Sequence, residues 1–264
     1  MHLRVVAALL LSIAAAPAVA HTPFLAPVSF QVREGGTVSL DAGFAEEFFV
    51  PEVAFDNSEF QVIGPDGVAK PAARVERLKT RTVVEHTLDG GKGTYRFSTG
   101  TRLGAVFRTF DVDGKSQTGR DDGKPLPKGA KLTSHYQTLS RSEVYLTAGA
   151  PDRAALKPYG TGLELVPDTH PGDLYAGEHF DFTVLYDGKP LPAQKVEVFH
   201  ATGTRASGEA VATVTTDAQG KARLPLGQAG AYLALLRHRG DAPAGAAAPQ
   251  YGNNYTLTFQ VQEQ

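Results

Sequence analysis

Apolar and polar residues alternate in short runs along most of this chain, and glycine, proline and aspartate punctuate the runs. An alternation of period two places every second side chain on one face, the pattern of a half-buried β-strand. It predicts strands over Ser29 to Val32, Thr37 to Ala42, Phe60 to Ile63, Thr82 to Leu88, Gly93 to Ser98 and Ala105 to Phe110. In Glu143 to Thr147, apolar Val144 and Leu146 alternate with Glu143 and Tyr145. Helical periodicity is scarce.

The pattern sharpens from Leu163 onward. Leu163 to Val166, Phe180 to Tyr186, Lys195 to Phe199, Tyr232 to Arg237 and Tyr255 to Val261 read as strands. Ala210 to Thr215 and Ala222 to Leu226 read as a hairpin about the turn Asp217-Ala218-Gln219-Gly220. Seven short strands in roughly 100 residues, with regular turns, describe an immunoglobulin-like sandwich. The expected fold is therefore all-β, with two β-sandwich domains, the C-terminal one immunoglobulin-like. The expected boundaries are 21–150 for the first domain, 151–162 for a linker rich in proline and glycine, and 163–264 for the second.

Residues 111–134 form a polar, glycine-rich excursion. Asp111-Val112-Asp113-Gly114 shares its spacing with the start of a calcium-binding loop, but no acidic residue stands at the required last position. A solvated hairpin is the expected form.

The N-terminus departs from the β pattern. Arg4, the apolar run Val5 to Ala16 and the small residues Ala18-Val19-Ala20 have the order of a cleaved secretory signal, so residues 1–20 are expected to be removed. Cleavage after Ala20 would leave His21 as the first residue. An N-terminal histidine carries a free α-amine beside its own imidazole, and the two can close a chelate ring on one metal ion. An α-amine titrates near ~7.7 and an imidazole near ~6.5, so such a pair sheds its protons at mild pH. A histidine can also fall at this position by chance.

Composition narrows the chemistry. There are no cysteines, which excludes disulfides and thiolate-held metal centres. The 26 Lys and Arg, less Arg4 of the signal, stand against 28 Asp and Glu, and no basic run occurs, so nucleic acid is not an expected partner. Beyond the signal no stretch approaches the ~20 apolar residues of a membrane span, and no membrane insertion of the mature chain is expected. The expected location is the periplasm. No nucleophile elbow, phosphate-binding glycine loop or HExxH sequence occurs, and the chain reads as a non-enzyme.

Seven histidines follow the signal: His21, His86, His135, His170, His179, His200 and His238. None is paired by spacing, so any site must be assembled by the fold. His238 stands where a strand enters the Ala/Pro/Gly-rich stretch 241–250, a position that favours ligand groups. The other reading of His238 is a surface histidine between Arg237 and Arg239. His135 follows the charged excursion, and His86 falls in phase with Val84 as a half-buried sheet residue. The candidate metal ligands are His21, His238, His135 and His86. His200 is expected in the core, at the opposite end of the sheet from His238, and His170 and His179 are expected as solvated turn residues.

The stretches Gly162-Leu163-Glu164-Leu165-Val166-Pro167, Asp187-Gly188-Lys189-Pro190-Leu191, Thr215-Thr216-Asp217-Ala218-Gln219-Gly220 and Gly230-Ala231-Tyr232 resemble a family of bacterial periplasmic proteins. The same holds for a signal that ends in alanine and is followed by histidine. That family carries a domain of unknown function and is described as the periplasmic component of cobalt/nickel transport systems. The resemblance implies a divalent transition metal, nickel or cobalt first and copper or zinc next, with an inner-membrane metal transporter as partner. Its members often carry tryptophan where this chain has Phe24 and Tyr232. Two other readings stay open. One is a non-catalytic structural or adhesive β module. The other is an N-terminal-histidine copper protein, including a mono-oxygenase-like enzyme.

Overall fold

A computed structural model describes residues 21–201 and 209–264. The predicted signal lies outside the described residues. Among them all regular structure is strand except for one 3-10 turn at Ala154–Leu156.

The first eleven strands are β1 (Thr22–Pro27), β2 (Thr37–Ala45), β3 (Val53–Ala54), β4 (Gln61–Ile63), β5 (Ala69–Pro71), β6 (Arg74–Arg77), β7 (Thr82–Thr87), β8 (Gly93–Ser98), β9 (Arg102–Val112), β10 (Lys115–Arg120) and β11 (Lys131–Ala148). The remaining eight are β12 (Leu163–Pro167), β13 (His179–Tyr186), β14 (Lys189–Pro190), β15 (Lys195–Ala201), β16 (Ala212–Thr215), β17 (Lys221–Pro225), β18 (Gly230–Asp241) and β19 (Gln250–Val261).

Three sheets result. A ten-stranded sheet runs β16-β15-β18-β19-β11-β8-β4-β5, with β9 and β10 attached beside β11. Its two halves join where β11 and β19 pair in parallel, from Tyr136 opposite Gln250 to Val144 opposite Thr258. A five-stranded sheet, β1-β2-β7-β6 with β3, covers one part of it. A four-stranded sheet, β12-β13-β14 with β17, covers another.

The period-two pattern explains the layers. In β11, Val144 and Leu146 face a core shared with Leu25, Leu40, Phe55 and Val84 of the first half. Tyr145 faces the second core, where Phe180, Phe182 and Leu224 meet Val198, Leu236, Leu257 and Phe259. Strand β18 also divides its faces. Tyr232, Ala234 and Leu236 belong to the second core, whereas Leu233 and Leu235 pack with Phe24 and Ala26 of β1.

Several sequence expectations change. The opening strand is Thr22–Pro27, not Ser29 to Val32. β1 has five successive buried residues because Leu25 enters the first core on one face while Phe24 and Ala26 pack on Leu233 and Leu235 of β18 on the other, so it shows no alternation. β16 and β17 do not form a hairpin: β16 pairs with β15 and β17 with β13, in different sheets. The turn between them crosses the sandwich, and Gly220 lies so close to Val184 O that a Cβ there would collide. Residues 151–162 are docked, with Ala155 and Leu156 buried in the second core. The DxDG stretch is the β9–β10 turn, where Asp113 and Gly114 have φ of 50° and 72°, as a tight two-residue hairpin requires.

A polar cluster is buried beside the parallel junction. Tyr255 Oη donates to Glu143 Oε2 at 2.7 Å. Arg96 and Arg141 lie over the Tyr159 ring at 3.9 and 4.5 Å. Burial, reinforced by the nearby Glu143 carboxylate, pushes the phenols of Tyr159 and Tyr255 well above their ordinary range.

Candidate metal site at the start of strand β1

The antiparallel register of β1 and β2 pairs Thr22 with Ala45. One step further places His21 beside Glu46, the first residue of the loop that joins β2 to β3. Glu52 closes that loop. Its backbone N–H donates to Phe44 O at 3.1 Å, while its Oε1 accepts from the Glu46 N–H at 3.1 Å. Glu52 Oε2 lies 2.8 Å from His21 Nε2, a charge-assisted hydrogen bond when the ring carries its proton. Ligand atoms of His21, Glu46 and Glu52 all lie within 4.8 Å of one another. Among the described residues this is the one such group of three or more His, Cys, Asp or Glu side chains.

The loop is held from below by aromatic packing. Phe48 and Phe49 pack against a cluster of Phe24, Ala45, Leu233 and Leu235, and Phe48 meets Phe199 with ring centroids 5.2 Å apart. Phe24 meets Phe49 at 5.5 Å. Gly43 lets the returning chain approach, since a Cβ there would stand 3.1 Å from Val53 O and 3.3 Å from Pro51 Cβ. A fully buried Phe24 fixes β1 itself, and Phe→Ala at such positions costs about 3–5 kcal/mol. The sequence EEFFVPE thus puts two carboxylates at the base of a loop anchored by its own two phenylalanines.

The site is open. The side chains of His21 and Glu52 keep 43% and 40% of their exposure, so an ion would be taken from solvent at an edge rather than in a cavity. Nearby, Arg237 reaches toward Thr22 Oγ1 at 3.5 Å and Glu197 at 3.4 Å, which offsets part of its positive charge.

The four histidines named from sequence stand apart. His238 is one residue past Arg237 and therefore points to the opposite face of β18. Its ring packs on Tyr186 with centroids 4.6 Å apart, and burial holds it below the ordinary imidazole value, opposed by Asp187. The sheet itself lies between His238 and His21. His135 Nε2 lies 3.0 Å from Asp121 Oδ2, and Asp121 also pairs with Arg108 at 3.0 Å. His86 Nδ1 accepts the Ala73 N–H at 3.2 Å, and its ring meets Phe97 edge-on.

His200 and His170 also have structural work. His200 stacks on Tyr232 with centroids 4.4 Å apart, and β15 and β18 are antiparallel neighbours, with His200 opposite Tyr232. His170 is not a solvated turn residue. It is 8% exposed, its Nδ1 accepts the Gly172 N–H at 2.9 Å, and its Nε2 lies 2.9 Å from Thr94 Oγ1 and 3.0 Å from Asp152 O. Glu46 and Glu52 escaped the sequence reading because carboxylates six residues apart carry no ligand spacing. The signal that could have found them is the register: a strand starting at residue 22 pairs its start with the end of β2.

The fold defines an all-β protein of packed sandwich sheets, with a small His–carboxylate cluster at one edge. The chain belongs to the family described as "Domain of unknown function (DUF4198)", whose model matches residues 18–240. No curated protein matches the chain in sequence. Solved structures similar to it include the D0-D1 domain of intimin, with 12% identity, a TM-score of 0.21, 89% of this chain and 96% of that chain covered. The Yersinia pseudotuberculosis adhesin InvE has 16% identity and a TM-score of 0.21, over 90% of this chain and 58% of that one. The Escherichia coli adhesin FdeC has 16% identity and a TM-score of 0.23, over 91% and 64%. Among the described residues no helix is long and apolar enough to cross a membrane.

Proposed function

We propose that this chain is a non-catalytic β-sandwich module of the periplasm that binds a divalent transition metal at its N-terminal edge and supplies it to an inner-membrane transporter. The metal is nickel or cobalt first, with copper or zinc next. The observation that carries the reading is the convergence of His21, Glu46 and Glu52 within 4.8 Å. His21 turns Nε2 to Glu52, which leaves Nδ1, the ring nitrogen on the α-amine side. In a chain processed after Ala20, the amine and Nδ1 close the chelate. Glu52 then holds the ring through Nε2–H, as carboxylates commonly do for metal-bound histidines. Glu46 and Glu52 add the negative charge that favours a cation.

Calorimetric titration of the processed protein with Ni²⁺, Co²⁺, Cu²⁺ and Zn²⁺ tests this. Binding tighter than ~100 μM is expected for at least one of them. Replacing both carboxylates, Glu46→Gln with Glu52→Gln, should weaken it ten-fold or more. A second reading, a structural or adhesive module, draws support from the continuous ten-stranded sheet, which makes the chain a stiff extended support. Under that reading none of the four ions binds.

A further inference from the structure

The groups at the His21 edge offer only nitrogen and oxygen: the imidazole, the Glu46 carboxylate, the Glu52 carboxylate that holds the ring and, after processing, an α-amine. Sulfur is missing from more than the site. The chain has no cysteine, and its single methionine is Met1, inside the predicted signal. A chain processed after Ala20 therefore has no thiolate or thioether to offer. The other histidines do not supply a softer site, because His86, His135 and His238 are engaged with Ala73, Asp121 and Tyr186 on other elements.

This donor set separates the two oxidation states of copper. Nitrogen and oxygen donors suit Cu²⁺, which also tops the affinity order of divalent first-row metals, above Ni²⁺ and Co²⁺. Cu⁺ prefers soft sulfur ligands. Reduction also halves the ion's charge and so its attraction to Glu46 and Glu52. The site is on an open edge, with His21 and Glu52 about two-fifths exposed, so a small reductant can reach the ion and the ion can leave.

Resting on the metal reading above, we infer that the site is gated by redox state: it holds copper as Cu²⁺ and releases it as Cu⁺. The electron comes from a one-electron reductant of the enediol class, such as ascorbate. The reductant is oxidised, Cu²⁺ is reduced to Cu⁺, and no protein group changes its covalent structure or oxidation state. Metals that ascorbate does not reduce, Ni²⁺ and Zn²⁺, stay bound under the same treatment.

The test uses the processed full-length chain loaded anaerobically with one equivalent of Cu²⁺, and in parallel with Ni²⁺. Ascorbate is added, a Cu⁺-specific chelator reports released copper, and gel filtration followed by metal analysis reports retained copper and nickel. Affinity for Cu⁺ is expected to be at least 1,000-fold weaker than for Cu²⁺, with nickel retained. Retention of Cu⁺ within ten-fold of Cu²⁺ overturns the gating while leaving the metal site intact. Failure of Cu²⁺ and Ni²⁺ alike to bind overturns the site and the gating together. Loss of nickel on adding ascorbate overturns the gating too, since the release would not depend on reduction of the ion.

Discussion

Thr256 Oγ1, on the last strand, lies 3.1 Å from Pro23 O, on the first, and 2.7 Å from Ser142 Oγ. A proline carbonyl can only accept, so Thr256 donates to Pro23 and receives from Ser142. This chain of three groups ties strand β1, and with it His21 two residues upstream, to the centre of the large sheet. Thr256 and Ser142 are fully buried, so a broken link leaves polar groups without water. Thr256→Val keeps the shape and removes the hydroxyl. It should lower stability by ~1–3 kcal/mol in urea denaturation. A loss below ~0.5 kcal/mol would mean that the hydroxyl link does not hold β1.

His238→Ala tests the separation of the two faces of β18. The imidazole packs on Tyr186, away from Thr22 and His21. The variant should lose stability through packing, by ~0.5–2 kcal/mol, and keep its metal affinity within two-fold in calorimetry. A ten-fold loss of affinity in a folded protein would bring His238 back as a ligand.

The buried cluster at the parallel junction gives a third test. Glu143 is 1% exposed and takes its hydrogen bond from Tyr255 Oη. Tyr255→Phe removes the donor and leaves a buried carboxylate oxygen unpaired, at a cost of ~1–3 kcal/mol. Chemical denaturation should show a lower midpoint with an unchanged slope. An unchanged midpoint would show that the Glu143 carboxylate is satisfied in another way.

His86 gives a pH dependence with a definite sign. Burial lowers its affinity for protons, Asp89 opposes this, and Lys70 adds to it. The folded value lies below the unfolded value of about 6.5, so the unfolded chain takes up the proton first as pH falls. The stability linked to His86 is therefore intact above pH ~6.5 and declines as pH drops from there through the folded value. Protonation would also cost the Nδ1 acceptor its bond from Ala73. His86→Gln should flatten the fall in melting temperature between pH 7 and pH 5. An unaltered slope would assign that fall to other groups.

Much of the fold was legible because strands with one covered face alternate. Phe180 to Tyr186, Lys195 to Phe199 and Tyr255 to Val261 show this, and the structure makes each a strand. The pattern failed where a strand is covered twice, as in β1, and where pairing is decided far away in sequence. The sequence around Asp217 supports a turn, which exists, but no local feature tells that its flanking strands enter different sheets. The 131–148 strand pairs with a segment more than 100 residues away. The candidate site divided in the same way. His21 was visible from its place after the predicted signal, whereas Glu46 and Glu52 depend on the register of β1 with β2.

The central claim is that His21 works as a free N-terminal residue beside Glu46 and Glu52. The most direct measurement is calorimetric titration of Ni²⁺ into two proteins, one starting at His21 and one carrying a single extra alanine before it. The extra residue turns the α-amine into an amide and leaves the imidazole and both carboxylates in place. The account predicts a fall in affinity of ten-fold or more, about 1.4 kcal/mol. Equal affinities for the two proteins would contradict it.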